Sequence, residues 1–138
     1  LKVKNEGINI TIHAGEGDGV HSIQEALDNG AKRIGHGVRI IEDISVDNKL
    51  GPTADHILQN NIPLEVCITS NLHTNMYKNP QDHPISRLHN LGFNISLNTD
   101  NRLMSNTSID NELNVAKAAG IENPTSLLKY SASDSFLN

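Results

Sequence analysis

Apolar and β-branched positions gather along this chain in four short runs, Ile8–Ile12, Arg33–Gly35, Pro63–Ile68 and Phe93–Leu97. A short apolar run bounded by turn residues marks a buried strand, so strands are expected near 8–13, 33–36, 63–68 and 93–98. Between them the spacing turns helical. Ser22–Leu27 is closed by Asn29-Gly30, Thr53–Asn60 follows Gly51-Pro52, and Ile85–Leu88 is closed by Gly92, all residues that start or stop helices. Beyond the fourth run, Asp110–Ala119 predicts a helix ended by Gly120, and Pro124–Phe136 a last one capped by Asn123. Strands alternating with helices at intervals of about 25 to 31 residues predict successive βαβ units and a parallel sheet. The Asn-, Pro- and His-rich stretch Ser70–Pro84 is expected to be the longest irregular loop, and long loops after strands often carry function.

Chemically capable side chains fall where each strand should end: His13 and Glu16 after the first, His36 after the second, Thr69-Ser70-Asn71 after the third and Asp100-Asn101 after the fourth. In parallel α/β folds the carboxyl ends of the strands open on one mouth, where groups from different strands converge. Glycines flank both histidines, in His13-Ala14-Gly15-Glu16-Gly17 and Gly35-His36-Gly37, and allow close approach of backbone and ligand. His, Glu, His and Asp at one mouth suggest metal-assisted hydrolysis: imidazole and carboxylate hold zinc while another carboxyl group moves protons. The competing reading makes His13 and His36 buried histidines that merely cap strand ends.

Composition narrows the partners. A chain of 138 residues fits one α/β domain with no second one. Its net charge of −5 and 3% aromatic content exclude a nucleic-acid groove and favour a small uncharged or cationic ligand. No apolar run approaches the roughly 20 residues that span a bilayer, and no signal-peptide pattern opens the chain. The lone Cys67 rules out an internal disulfide or a cysteine-held zinc and suits a reducing, cytoplasmic setting. The first residue, Leu1, is not Met, so the chain is expected to be part of a longer polypeptide.

The motifs His13-Ala14-Gly15-Glu16, Arg33-Ile34-Gly35-His36-Gly37, Leu64-Glu65-Val66-Cys67 with Thr69-Ser70-Asn71, and Ser96-Leu97-Asn98-Thr99-Asp100 resemble, in order and spacing, the second half of the adenosine deaminase family. Asn101-Arg102-Leu103-Met104-Ser105 is similar to the bacterial branch. The resemblance implies the last four βα units of a (β/α)8 TIM-type barrel and zinc-dependent conversion of adenosine to inosine. It implies that His13 and Asp100 are zinc ligands and that Glu16 protonates purine N1. It further implies that His36 orients the water and takes up its proton. Gly15 and Asn101 are expected at the substrate.

Two departures follow. The family's other zinc ligands form a His-x-His pair, and none of the seven histidines here is so spaced. Alone, the chain is expected to bind zinc weakly, to be inactive, and to need the other half of the barrel or another copy. Asn101 stands where many members carry an Asp that contacts N7. N7 is an acceptor, and an Asn amide donates at any pH, so the contact is expected to survive.

Other residues divide between function and structure. His21, His56, His73, His83 and His89 are read as surface or capping residues. Glu65, a carboxylate inside an apolar strand, needs a partner: either it orients a catalytic histidine or it makes a structural hydrogen bond. Arg39 and Arg102 are expected to form salt bridges at the barrel rim rather than to grip a phosphate. Adenine or adenosine monophosphate as substrate, and a catalytically silent binding module, are the alternative functions. The cytidine-deaminase type of site is excluded because it needs paired cysteines.

Overall fold

A computed structural model describes residues 6–128. The elements run β1 (Ile10–Ala14), α1 (Val20–Asp28), β2 (Ala31–His36), α2 (Pro52–Gln59), β3 (Leu64–Val66), α3 (Ile68–His73), α4 (Ile85–Asn90), β4 (Ile95–Leu97), α5 (Arg102–Ser105) and α6 (Ile109–Ala118). Short 3-10 turns lie at Val38–Asp43, Pro80–Asp82 and Pro124–Leu128. The strands form one parallel sheet in the order β1-β2-β3-β4. This is the arrangement of consecutive βα units in a partial (β/α)8 barrel. No described helix is long and apolar enough to cross a membrane.

Register sorts the two faces of the sheet. Ile12, Ile34, Leu64 and Ile95 lie side by side across the strands. The last three are buried in the core, and Ile12 packs against it. The helices contribute Ile23 and Ala26 from α1, Ile57 from α2 and Leu88 from α4 to the same core, at spacings that put apolar residues on one helical face. The next row, His13, Gly35, Glu65 and Ser96, is set one residue along each strand. Because side chains alternate across a strand, this row belongs to the opposite face, the one that lines a barrel.

Element boundaries depart from the sequence reading in explicable ways. β1 starts at Ile10, where pairing to Ala31 begins, and leaves Ile8 54% exposed. Pairing confines β3 and β4 to three residues each. The stretch Ser70–Pro84 is not wholly irregular: α3 runs to His73, because Ile68 and Leu72, four residues apart, turn one face to the core. The expected helix Pro124–Phe136 is a 3-10 turn as far as Leu128, and its remainder lies outside the described residues. Helix α2 starts where Pro52 fills a first-turn position and Asp43 Oδ2 accepts the N–H groups of Thr53 and Ala54, each at 2.9 Å.

Candidate active site

His13 occupies the β1 position opposite Gly35. A methyl group at Gly35 would stand 2.5 Å from His13 Cδ2, so the missing side chain on β2 is the space that the imidazole fills. His36 follows at once and, in a regular strand, would point away from the mouth. Its φ of 64° breaks the alternation and brings its ring within 5.1 Å of His13, edge to face. Asp100, beyond β4, is likewise left-handed, with φ of 56°. Such backbone costs about 1 kcal/mol at a non-glycine residue and clusters at functional sites.

Gly15, with φ of 65°, turns the chain after β1 and sets Glu16 against His36, with Oε2 3.4 Å from Nε2. The Gly15 N–H donates to Ser22 Oγ at 2.9 Å, and its carbonyl accepts from Arg39 N–H at 3.1 Å. A Cβ at Gly15 would collide with Ile23. Within the chain, Gly15 therefore acts through its shape. Asp100 Oδ2 accepts from Ser70 Oγ at 2.8 Å, which fixes one carboxylate oxygen and leaves a second to offer. His13, His36, Glu65, Cys67, Asn98 and Asp100 border a single cavity. A larger adjoining cleft runs from Glu16 past Arg39 to Met76 and Tyr77.

One donor set among the described residues suits a metal ion. The ligating atoms of His13, Glu16 and His36 lie within 4.8 Å of one another. His13 and Asp100 share the cavity from opposite ends of the sheet. His36 is 2% exposed, and burial pushes its pKa below the ordinary value against the pull of the Glu16 carboxylate. Burial drives the Cys67 thiol well above its ordinary range, which disfavours the thiolate form.

Glu65 finds its partner in Arg33, Nε to Oε1 at 3.2 Å, and Arg33 Nε also donates to Thr11 Oγ1 at 3.1 Å. Asn101 caps α5, its side-chain oxygen accepting from Leu103 and Met104 N–H at 3.1 Å each. Arg39 pairs with Glu42 at 2.6 Å, whereas Arg102 is exposed on α5. Among the histidines read as superficial, His21, His56, His73 and His89 are exposed. His83 is not: it is 3% exposed and hydrogen-bonded to Asn71, which also contacts His36. Its burial follows from its neighbours Pro84 and Ile85, which enter the core side of α4.

Glu112 also escaped the sequence reading. It is fully buried on α6 and accepts from Thr69 N–H at 3.3 Å and Thr107 Oγ1 at 2.9 Å. It thereby ties down the segment that presents Ser70 and Asn71. No periodicity distinguishes it from Asp110, the exposed acid of the same helix.

A family model described as adenosine deaminase matches residues 2–132. The chain belongs to the adenosine deaminase family. It is 49% identical over 115 residues to adenosine deaminase 1 of Streptomyces coelicolor, covering 80% of this chain and 29% of that protein. It is 45% identical over 116 residues to the adenosine deaminase of Mycobacterium leprae, covering 80% of this chain and 32% of that protein. The chain thus spans about a third of the length of these relatives. Among solved structures, an adenine deaminase from Arthrobacter aurescens superposes with a TM-score of 0.83 at 26% identity, over 99% of this chain and 41% of that one. An Arabidopsis protein, ADAL, complexed with IMP superposes with a TM-score of 0.72 at 26% identity, over 92% and 36% respectively. These coverages match a four-unit portion of a barrel.

Proposed function

We propose that the natural protein carrying this chain is a zinc-dependent aminohydrolase that converts adenosine or deoxyadenosine to the corresponding inosine. The convergence of His13, Glu16, His36 and Asp100 at the carboxyl ends of parallel strands carries this reading, and the names of the bacterial relatives support it. Neutral imidazole and carboxylate are ordinary zinc donors. His36 is engaged by Asn71 at Nδ1 and by Glu16 at Nε2, so we assign His13 and Asp100 as the ligands, with others supplied from outside this chain. When bound, the metal acidifies a water so that a nucleophile is available near neutral pH.

The chain's own residues do the rest. Glu16 delivers a proton to purine N1, which draws electron density from C6. The Asn101 oxygen is committed to the α5 backbone, so its NH2 group is the part left to donate to N7. Gly15 admits the ring to the mouth, and His36 steadies the attacking oxygen. A C6–O bond forms as His36 takes up one proton of the water, the C6–N bond breaks as that proton passes to the amino group, which departs as ammonia, and the second proton returns to Glu16 as the 6-oxo group forms. Glu65 holds the barrel interior beneath His13 through Arg33. The Arg39–Glu42 pair at the adjoining cleft disfavours a phosphate there and so favours a nucleoside over adenosine monophosphate.

We place the protein in the cytoplasm, where the buried free thiol of Cys67 would stay reduced. Among the described residues, no strand pairs with the outer edges of β1 and β4, so further barrel units or another copy are to cover them. The test is an ultraviolet assay of the natural full-length protein, zinc supplied, against adenosine, adenine and adenosine monophosphate. Turnover of adenosine supports the proposal. Turnover of adenine or the nucleotide alone moves it to a sister deaminase, and turnover of none favours the silent module.

A further inference from the structure

Glu16 sits between two glycines, Gly15 and Gly17, whose backbone freedom does little to fix it. Among the described residues its carboxylate makes one ionic contact, to His36 Nε2 at 3.4 Å, longer than a charge-assisted hydrogen bond. The restraint comes from Arg39, three residues past His36. Its backbone N–H donates to the Gly15 carbonyl at 3.1 Å, and its Nη1 donates to the Gly17 carbonyl at 3.5 Å. Arg39 thus grips the chain on both sides of Glu16. The second bond is long, yet among the described residues no other hydrogen bond reaches the backbone of Glu16 or Gly17. Arg39 is itself braced. Val38–Asp43 is a 3-10 turn, in which residues three apart eclipse one another, so Glu42 stands beside Arg39 and its Oε1 accepts from Nε at 2.6 Å. A Cβ at Gly19 would lie 3.4 Å from Glu42 Oε2 and 3.8 Å from Arg39 Nη2, so the pair packs against the far end of the same segment. With side chains 31% and 45% exposed, the pair contributes little to stability. Its effect is on where the segment lies.

We propose that Arg39, braced by Glu42, is a positioning residue that straps the Gly15–Gly17 segment and so keeps the Glu16 carboxyl group aligned with His36 for proton delivery to the purine ring. This rests on the deaminase reading and adds a residue to it, one that acts through Glu16 rather than on the substrate. His36 ends β2 and Arg39 lies in the turn that follows, so the residue that holds Glu16 moves with the histidine that Glu16 faces. Holding the segment beforehand removes the ordering that two flanking glycines would otherwise require when the purine binds. General acid–base catalysis contributes about 100- to 10,000-fold, and releasing the strap misaligns the carboxyl group without removing it. The expected loss in kcat is therefore about 10-fold.

The test uses the natural full-length protein with zinc supplied. Arg39→Met keeps the aliphatic stem and removes every donor of the guanidinium. Its kcat for adenosine should fall about 10-fold, with KM, zinc per chain and melting temperature near those of the wild type. A merely structural residue would move the melt or the zinc content instead. Arg39→Lys, whose ammonium still donates to the Gly17 carbonyl, should recover part of the loss, and Glu42→Ala, which frees Arg39, should show a smaller one. Crystal structures of the wild type and of Arg39→Met give a readout that needs no activity: Glu16 should keep its contact with His36 in the first and leave it in the second. An Arg39→Met protein with wild-type kcat, or with Glu16 unmoved, overturns the proposal, and so does a loss of kcat matched by a loss of zinc. Should Arg39→Met fail to fold, Arg39→Lys and Glu42→Ala provide the same comparison. Wild-type turnover of adenosine with Glu16 unmoved in the variant sinks this inference alone. No turnover of any purine, with Glu16 displaced in the variant, sinks the deaminase reading and the purpose of the strap, but not the strap itself.

Discussion

Replacing Gly35 by Ala tests whether the site depends on the space that β2 leaves for His13. The added methyl carbon would lie 2.5 Å from His13 Cδ2 and 3.1 Å from both Cγ and Nε2. Carbon atoms rest about 3.5 to 4.0 Å apart, so the ring must retreat by about 1 Å. Gly35 is not among the left-handed glycines, and Ala fits its backbone without strain, so the effect falls on His13. A displacement of about 1 Å at a group that positions the chemistry costs on the order of 100-fold in rate. The overpacking itself should cost about 1 to 3 kcal/mol of stability. The assay is adenosine turnover by the natural full-length protein, read with bound metal by elemental analysis and with a thermal melt. The expected result is a folded protein with kcat/KM about 100-fold lower and less metal per chain. A folded Gly35→Ala protein with wild-type activity and full metal content would refute the reasoning, because His13 could then not be held where the structure puts it.

Acid should weaken the fold through His83. Its unfolded ring takes a proton near the ordinary 6.5, and the folded ring only near 4. Between these values the unfolded state binds more protons, so stability falls as the pH drops. The loss should reach about 2 kcal/mol at about pH 5 relative to neutral. Denaturant titrations across this range check it, and His83→Gln should flatten the dependence; an unchanged slope in that variant counts against the assignment. Glu112→Ala strands the Thr69 N–H, leaves the Thr107 hydroxyl only its long contacts to Thr69 Oγ1 and the Ser108 carbonyl, and should cost about 2 kcal/mol by chemical denaturation. Asn101→Ala should lose about 1 kcal/mol of helix capping, whereas Asn101→Asp should keep the cap. If Asn101→Asp raised catalytic efficiency many-fold at neutral pH, the proposed N7 contact would be wrong.

The order of strands and helices was legible in the sequence because burial on both faces of a parallel sheet demands apolar runs such as Pro63–Ile68, and glycine and proline punctuate what lies between. The residues at the mouth were legible for a related reason: strand ends are marked locally, so His13, Glu16, His36 and Asp100 could be placed without coordinates. Helix α3 and the shortness of β3 were not, since Leu64–His73 reads as a strand followed by a loop until pairing stops at Val66. His83 and Glu112 lay further out of reach. Each is a polar residue in a segment with no special pattern, and its burial depends on partners 12 or more positions away. Likewise, the sequence placed Gly35 and His13 in one motif set, but only the register between β1 and β2 shows that one fills the space left by the other. Local periodicity and turn chemistry determined which elements form and where chemistry collects. Register, left-handed strand ends and long-range hydrogen bonds, which depend on the packed chain as a whole, decided how those groups face one another.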